Sequence, residues 1–345
     1  MPTKDELKYF QAMPLDIKIG LTKNRIREWV RYYGTNGVYV SFSGGKDSTV
    51  LLHIVREMYP DIEAVFVNTG LEYPEIQSFV KTFDNVTILR PKMWFDEVIK
   101  KYGYPVVSKE VSKRIAEWHN AISKGTLEQS RAYQEFNGMV KGETGKSMFN
   151  KQKWKYLVDA EFNCSHKCCD IMKKKPSYDF EKQTGRKAIL GTMASESLIR
   201  KTTWIKHGCN AFESKRPTSQ PLSFWTEQDV LQYIKEYNIP IASIYGDVVY
   251  AEEPDQLRIE GCEGGKLKTT GCDRTGCIFC AFGCHLEKEP SRFQMLKQTH
   301  PKQYEYCIGG GEFVDGIWKP NKKGLGMGYV FDELNKIYGD GFIKY

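Results

Sequence analysis

A strand, a glycine turn and a serine-rich helix start follow one another between residues 38 and 48. The run Val38–Ser41 alternates β-branched and aromatic residues, as strands do, and Gly44 and Gly45 permit a sharp turn. We expect Ser48 to cap the helix that follows. Because a helix start presents unpaired N–H groups and a positive dipole end, this loop, with Lys46 beside it, predicts a binding site for an anion such as phosphate.

The loop is not a Walker phosphate-binding motif. That motif requires a glycine where Val40 stands and a serine or threonine where Asp47 follows Lys46. The run Ser-Gly-Gly-Lys-Asp-Ser at residues 43–48 instead resembles the PP-loop of the adenine-nucleotide α-hydrolase-like superfamily. The resemblance implies that the loop holds the pyrophosphate of ATP or the phosphosulfate of an adenylyl sulfate.

Strands and helices alternate along much of the chain. Short apolar runs at residues 64–67, 86–89 and 187–190 are typical of buried strands, and helical periodicity separates them. We therefore expect an α/β fold with a doubly wound, mainly parallel sheet, whose ligand lies at the carboxyl ends of the strands. Residues 41–48, 68–70 and 191–200 fall at those ends.

The chain of 345 residues is expected to contain three segments. Residues 1–34 form an N-terminal helical segment. Residues 35–255 form the nucleotide-binding domain, with a helical insertion at about 105–160. Residues 256–345 form a cysteine-rich, metal-binding segment followed by a glycine-rich tail.

Composition favours a cytoplasmic protein without a membrane span, because no apolar run is long enough and the polar start is no signal peptide. We also expect a homo-oligomer. The net charge of +7 is uneven, since residues 141–187 hold twelve Lys and Arg against six Asp and Glu. This basic stretch is typical of a surface that binds a nucleic acid, either DNA or tRNA. It is equally typical of a solvated basic face near an anionic nucleotide.

Further motifs resemble the phosphoadenosine phosphosulfate (PAPS) reductase family. Residues 65–74 resemble its second-strand motif, residues 191–197 with Arg200 its substrate-side motif, and residues 221–245 its Trp-Thr helix and proline segment. The resemblance implies a bound adenine nucleotide, with Arg200 as an anion contact. The residues expected to bind it are Ser41, Ser43, Gly44, Gly45, Ser48, Thr49, Asn68, Thr69, Gly70, Glu72 and Gly191.

Cysteine spacing indicates a metal centre. Nine, four and two residues separate Cys262, Cys272, Cys277 and Cys280, and the last three reproduce the C-x4-C-x2-C spacing of plant-type ferredoxins. Ten cysteines in a reducing cytosol favour metal binding or catalysis over disulfides. Spacing alone does not decide between an iron–sulfur cluster and zinc, since both accept four thiolates.

Two ligand sets are implied by two resemblances. The adenylyl-sulfate reductases, whose paired-cysteine motif is similar to Cys168 and Cys169, would use those two with Cys277 and Cys280 for a 4Fe–4S cluster. The ATP pyrophosphatases of the DNA phosphorothioation systems would use Cys262, Cys272, Cys277 and Cys280. We favour the second set, which leaves Cys168 and Cys169 free in a basic stretch where a thiolate can carry sulfur.

The predicted function is an ATP pyrophosphatase that adenylates an acceptor for sulfur transfer. The nucleophilic Glu-Cys-Gly-Leu-His motif of the assimilatory reductases does not occur in residues 340–345. Lys46 and Arg200 are expected to stabilise negative charge, Asp47 to place Mg²⁺, and a cysteine desulfurase or thioredoxin-like protein to act as donor. One alternative is an adenylyl-sulfate or PAPS reductase, and another is a non-catalytic nucleotide-binding iron–sulfur or zinc protein that serves as a redox sensor or scaffold.

Overall fold

The computed structural model describes residues 2–143, 145–251 and 265–345. Contacts divide the chain into two compact units. The first consists of Met1–Asn68, Glu72–Arg90 and Pro176–Thr275, and the second of Thr69–Leu71, Pro91–Lys175 and Gly276–Tyr345. The three predicted segments do not coincide with these units, because each unit is assembled from separate parts of the chain.

A six-stranded sheet is the centre of the first unit. From one edge to the other its strands are Val86–Leu89, Ala64–Val67, Val38–Ser41, Lys187–Leu190, Thr218–Ser219 and Asn210–Ala211. Neighbouring strands run parallel, except for the last two, which are antiparallel. A separate antiparallel pair joins Val248–Tyr250 to Leu267–Thr269.

Helices cover both faces of this sheet. Val38 and Val40 belong to the main apolar cluster, whereas Tyr39, which points the other way, packs with Phe180. The helices of this unit are Lys4–Gln11, Leu15–Tyr33, Lys46–Met58, Pro74–Val80, Lys175–Thr184, Leu198–His207 and Glu227–Glu236. The predicted doubly wound, mainly parallel α/β fold is therefore confirmed.

The N-terminal helix Leu15–Tyr33 is part of the first unit's core. Ile26 and Trp29 are fully buried in the same cluster as the central strand. Lys18 is buried as well, and its Nζ lies 2.8 and 2.7 Å from the two carboxylate oxygens of Asp229. Apolar packing and a buried ion pair together hold this helix against the rest of the first unit.

The second unit is mainly helical. Its helices are Phe95–Tyr102, Lys109–Ser123, Arg131–Phe136, Lys167–Cys169, Arg292–Thr299, Pro301–Ile308 and Met327–Tyr338. Its strand pairs are Val106–Val107 with Ala281–Phe282, Lys141–Gly142 with Gly145–Lys146, and Glu312–Val314 with Ile317–Lys319. In the parts of both units that the structure describes, no helix has the length and apolar character that crossing a membrane requires.

Candidate functional site

The loop predicted to bind an anion joins the strand Val38–Ser41 to the helix Lys46–Met58. Gly44 has a φ of 71°, in the left-handed region that favours glycine. A Cβ atom at this position would lie 2.8 Å from a methyl carbon of Ile76 and of Val80. The predicted turn is present, and Gly44 is the position in it that requires a glycine.

The predicted cap at Ser48 is wrong. The helix begins earlier, at Lys46, and its N-cap residue is Gly45, which has no side chain to cap with. Ser48 Oγ accepts a hydrogen bond from Ser43 N–H at 3.1 Å and donates to the Gly45 carbonyl at 2.9 Å. Ser48 thus fixes the loop from within the first helical turn.

A cavity of about 450 Å³ opens in the first unit, beside the carboxyl ends of the adjacent parallel strands Val38–Ser41 and Lys187–Leu190. Its lining residues are Ser41, Ser43, Gly45, Lys46, Asp47, Ser48, Leu190, Gly191, Thr192, Glu196, Arg200, Tyr245, Arg274 and Thr275. The structure therefore brings together much of the predicted nucleotide site. The backbones of Gly191 and Asp47 lie close together, and glycine permits this because a Cβ atom at position 191 would lie 3.1 Å from the Asp47 carbonyl oxygen.

Lys46 is buried and is one of the residues that line this cavity. Its Nζ donates to the Asp273 carbonyl at 2.8 Å and lies 3.0 Å from Glu227 Oε1. The Lys46 N–H donates to the hydroxyl of Tyr245 at 3.3 Å. These contacts hold a positive charge at the helix N-terminus, where the helix dipole also favours an anion.

Asp47 adds a buried carboxylate to the same cavity. Burial raises the pKa of Asp47, and the charges of Lys46 and Arg274 partly oppose that rise. Within the described residues, Asp47 Oδ1 has no hydrogen-bond partner, although Lys46 Nζ lies 3.8 Å away. A buried carboxylate oxygen that lacks a hydrogen bond is a suitable ligand for a divalent cation.

Sequence reasoning missed Tyr245, Arg274 and Thr275 as cavity residues. The Tyr245 hydroxyl lies 2.6 Å from Thr275 Oγ1, and burial raises the pKa of Tyr245 to about 12. Arg274 contributes a third cationic side chain beside Lys46 and Arg200. In the sequence, Arg274 and Thr275 lie between two cysteines, a position that predicts metal binding and gives no indication of phosphate binding.

Several predicted nucleotide contacts do not line the cavity, namely Gly44, Thr49, Asn68, Thr69, Gly70 and Glu72. Thr49 is buried, and its hydroxyl donates to the Gly45 carbonyl at 3.0 Å. Thr69 and Gly70 belong to the second unit. A role for these residues in nucleotide binding remains a prediction.

The second unit holds a cavity whose polar lining is dominated by cysteine. Its lining residues are Leu71, Phe95, Pro105, Cys168, Cys169, Met172, Lys173, Cys277 and Cys280. The first two cysteines end the short helix Lys167–Cys169, directly before the π-helical turn Asp170–Lys174. The other two precede the strand Ala281–Phe282, which pairs with Val106–Val107.

Protonation differs between neighbouring thiols of this cysteine cavity. The Cys168 thiol donates to the Cys169 sulfur, which raises the pKa of Cys168 and lowers that of Cys169. Lys109 and Lys173 lower the pKa of Cys169 further. Burial raises the pKa of Cys280. Cys169 is therefore the thiolate of the pair.

The favoured metal set is not assembled by the described residues. Cys262 lies outside them, and Cys272 belongs to the first unit, where its thiol donates to the Arg274 carbonyl at 2.7 Å. Cys277 and Cys280 instead share their cavity with Cys168 and Cys169. Among the residues described, no group of three or more His, Cys, Asp or Glu side chains is arranged so that it could hold a metal ion.

Residues 37–106 and 130–282 match the family model of the phosphoadenosine phosphosulfate reductase domain. The chain belongs to this family. The matched residues include the loop between Ser41 and Lys46, the residues that line the first unit's cavity and the four cysteines of the second unit's cavity.

Curated relatives are similar at low identity. An adenosine 5'-phosphosulfate reductase of Staphylococcus haemolyticus is 27% identical over 223 residues, 64% of this chain and 70% of the relative. Sulfate adenylyltransferase subunit 2 of Shewanella oneidensis is 22% identical over 264 residues, 72% of this chain and 76% of the relative. An uncharacterised protein of Methanocaldococcus jannaschii is 24% identical over 295 residues, 82% of this chain, which spans 51% of that relative's length.

Solved structures give weak overall likenesses. A PAPS reductase from Candida auris in a phosphate complex has a TM-score of 0.37 at 14% identity, covering 70% of this chain and 91% of that chain. An FMN adenylyltransferase of Candida glabrata has a TM-score of 0.38 at 12% identity, covering 73% of each chain.

Proposed function

We propose that the chain binds ATP in the cavity of the first unit and cleaves it between the α- and β-phosphates, activating an acceptor for sulfur transfer. The observation that carries this proposal is the grouping of Lys46, Asp47 and Arg200 at one cavity beside the phosphate loop. A helix N-terminus and cationic side chains suit the phosphates. A buried carboxylate without a hydrogen bond at Oδ1 suits the Mg²⁺ that accompanies ATP.

In the proposed reaction an oxygen of the acceptor forms a bond to the α-phosphorus, and the bond to the bridging oxygen of the β-phosphate breaks. Pyrophosphate leaves with that oxygen. Lys46 and Arg200 stabilise the negative charge that develops on it, and the loop fixes its orientation. Asp47 holds Mg²⁺, which when bound neutralises charge on the phosphate oxygens.

For the metal centre, we propose Cys168, Cys169, Cys277 and Cys280 as the ligands. Four thiols line one cavity, thiolates are the ligands that an iron–sulfur cluster or zinc binds, and the lowered pKa of Cys169 supplies one. The four sulfur atoms do not converge on one ion in this structure, so binding would require these side chains to move. An iron–sulfur cluster, when bound, supplies electron-transfer or sulfur chemistry. Ligation would leave Cys168 and Cys169 unable to carry a persulfide, so that sulfur would come from the centre or from a desulfurase partner.

A second candidate is an adenylyl-sulfate or PAPS reductase that releases sulfite. The same cysteine cavity favours it, because this set of four is the one that the resemblance to adenylyl-sulfate reductases implies. A relative named for that reaction is 27% identical to this chain. The two candidates share the nucleotide cavity and differ in which bond of the nucleotide breaks.

Product analysis separates the two candidates. Protein purified without oxygen is assayed for pyrophosphate from Mg·ATP, with plasmid DNA and with bulk tRNA as acceptors, and for sulfite from adenylyl sulfate and PAPS with thioredoxin. We expect pyrophosphate, with Asp47→Ala slowing its release about 100-fold. Sulfite without pyrophosphate would establish the reductase instead. Release of pyrophosphate by Asp47→Ala at the wild-type rate would show that Asp47 has no part in the mechanism.

Metal analysis tests the ligand set separately. We expect iron and sulfide, or zinc, in the wild-type protein and their loss in Cys277→Ser. Cys209→Ser, which changes a half-buried cysteine of the first unit, is the matched control and should keep the metal. Loss of metal in Cys272→Ser with retention in Cys168→Ser would restore the set that includes Cys262 and Cys272.

The proposed acceptor is a nucleic acid. Lys141, Lys153 and Lys155 are exposed in the second unit, within the most basic stretch of the chain. Binding that depends on such lysines weakens steeply with salt. Anisotropy titrations of labelled duplex DNA and of tRNA should therefore show salt-dependent binding that is lost in Lys153→Glu/Lys155→Glu. Binding by this variant that equals wild-type binding would show that these lysines do not contribute to nucleic-acid binding.

A further inference from the structure

Glu196 joins two arginines at the cavity of the first unit. One of its carboxylate oxygens pairs with Arg200 and the other with Arg274. The oxygen that pairs with Arg200 also accepts a hydrogen bond from Met193 N–H at 3.0 Å, within the 3₁₀ turn Ala194–Glu196. Because the turn fixes its position, this carboxylate bridges the two guanidinium groups from a defined place in the cavity wall.

The two arginines remain open to solvent while the carboxylate does not. The side chain of Glu196 is 12% exposed, against 40% for Arg200 and 56% for Arg274. Burial and the neighbouring charge of Arg274 lower the pKa of Arg200. Neighbouring guanidinium groups repel each other, and the Glu196 carboxylate, which pairs with both, reduces that repulsion.

We propose that Arg200 and Arg274 form an oxyanion subsite of the cavity, and that Glu196 fills this subsite as an internal counter-ion until a phosphate replaces it. Paired guanidinium groups bind phosphate oxygens through parallel, charge-assisted hydrogen bonds. The inference deepens the proposed function, because both place phosphate in the same cavity, but it concerns binding and requires no turnover.

The charge of the ligand determines how much binding free energy is gained when the ligand replaces Glu196 at the two arginines. A ligand that displaces Glu196 breaks two ion pairs made by one negative charge. The terminal group of pyrophosphate or ATP carries up to two negative charges, whereas the sulfate of adenylyl sulfate carries one. Exchange of one charge for one gains little, so the subsite discriminates in favour of a terminal phosphate and against the sulfate of a phosphosulfate anhydride.

Two substitutions act in opposite directions on this subsite. Glu196→Gln removes the charge and keeps an oxygen that can accept from Met193 N–H, so inorganic pyrophosphate should bind about tenfold more tightly. Arg274→Ala should weaken pyrophosphate binding about tenfold. In the double variant the gain from Glu196→Gln should shrink, because the two residues act on one another.

The measurement is calorimetric titration with inorganic pyrophosphate and with adenosine 5'-phosphosulfate, alongside thermal unfolding to verify folding. Glu57→Gln is the matched control, because Glu57 pairs with Lys23 at 2.8 Å in the same unit, away from the residues of the cavity, and binding should not change. Arg274→Ala should weaken the binding of pyrophosphate more than that of the phosphosulfate, because the subsite favours the more highly charged terminal phosphate.

Unchanged or weaker pyrophosphate binding in folded Glu196→Gln would overturn the proposal, as would unchanged binding in Arg274→Ala or no pyrophosphate binding at all. If Lys46→Ala abolishes pyrophosphate binding while Glu196→Gln and Arg274→Ala leave it unchanged, the proposed subsite is wrong and the proposed function stands. If both variants respond as expected but ATP is never cleaved, the subsite stands and the proposed function fails.

Discussion

Replacement of Gly44 by alanine tests the phosphate loop in isolation. The added Cβ would meet two methyl carbons at 2.8 Å, about 1 Å inside ordinary carbon–carbon contact. The φ of 71° costs a residue with a Cβ about 1–2 kcal/mol, and overpacking of this kind costs about 1–3 kcal/mol more. We therefore expect a total loss of about 2–5 kcal/mol. If the side chains of Ile76 and Val80 shift to make room, the free energy of unfolding falls. If the loop backbone shifts instead, phosphate binding weakens.

Urea unfolding and calorimetric titration with pyrophosphate measure the two parts of this loss. Gly45→Ala is the matched control, because Gly45 has a φ of −76° and its Cβ would lie 3.2 Å from Ser43 Oγ and 3.3 Å from the Tyr245 hydroxyl. As the control for stability, it should lose less than about 1 kcal/mol of the free energy of unfolding in urea. The reasoning is refuted if Gly44→Ala unfolds at the wild-type urea concentration and binds pyrophosphate as tightly as the wild-type protein does.

Three further predictions follow from burial and charge. Lys18→Met leaves the buried carboxylate of Asp229 without its cation, so the free energy of unfolding in urea should fall by about 3–5 kcal/mol; a loss below about 1 kcal/mol would contradict this. The pKa of Cys169 is lowered and that of Cys168 raised, so iodoacetamide at about pH 7 should label Cys169 first in metal-free protein, whereas equal labelling of their peptides would disagree. Burial raises the pKa of Asp47, so its carboxylate takes up a proton at a higher pH than an exposed aspartate does. Calorimetry should show that Mg²⁺-dependent ATP binding weakens as the pH falls, beginning at a higher pH than an exposed aspartate would give, and Asp47→Asn at neutral pH should resemble the protonated state and lose the pH dependence.

The sheet and the phosphate loop were predictable because their signals are local. Alternating residues in Val38–Ser41 and the glycines after it determine a strand and a turn, and the structure has both. The helix start was misplaced at Ser48 because a serine in the first turn can bond backwards to the loop as well as cap. Which role it takes depends on backbone dihedral angles that the residue type does not determine.

Contacts between distant segments were not predictable in the same way. Arg274 and Tyr245 reach the loop from more than 190 residues along the chain, and neither belongs to a phosphate-binding motif. Spacing grouped Cys272 with Cys277 because only five positions separate them, but the fold places Cys277 in a cavity with Cys168, more than 100 positions away. Proximity in sequence was a poor guide wherever the chain passes from one unit to the other.

The measurement that tests the central claim most directly is phosphorus-31 NMR of Mg·ATP incubated with the protein and the nucleic-acid acceptors. Cleavage between the α- and β-phosphates predicts the resonance of pyrophosphate together with an adenylyl product, and its loss in Lys46→Ala. Formation of ADP and inorganic phosphate would contradict the proposed site of cleavage. So would unaltered ATP alongside sulfite release from adenylyl sulfate, which would assign the cavity to the reductase.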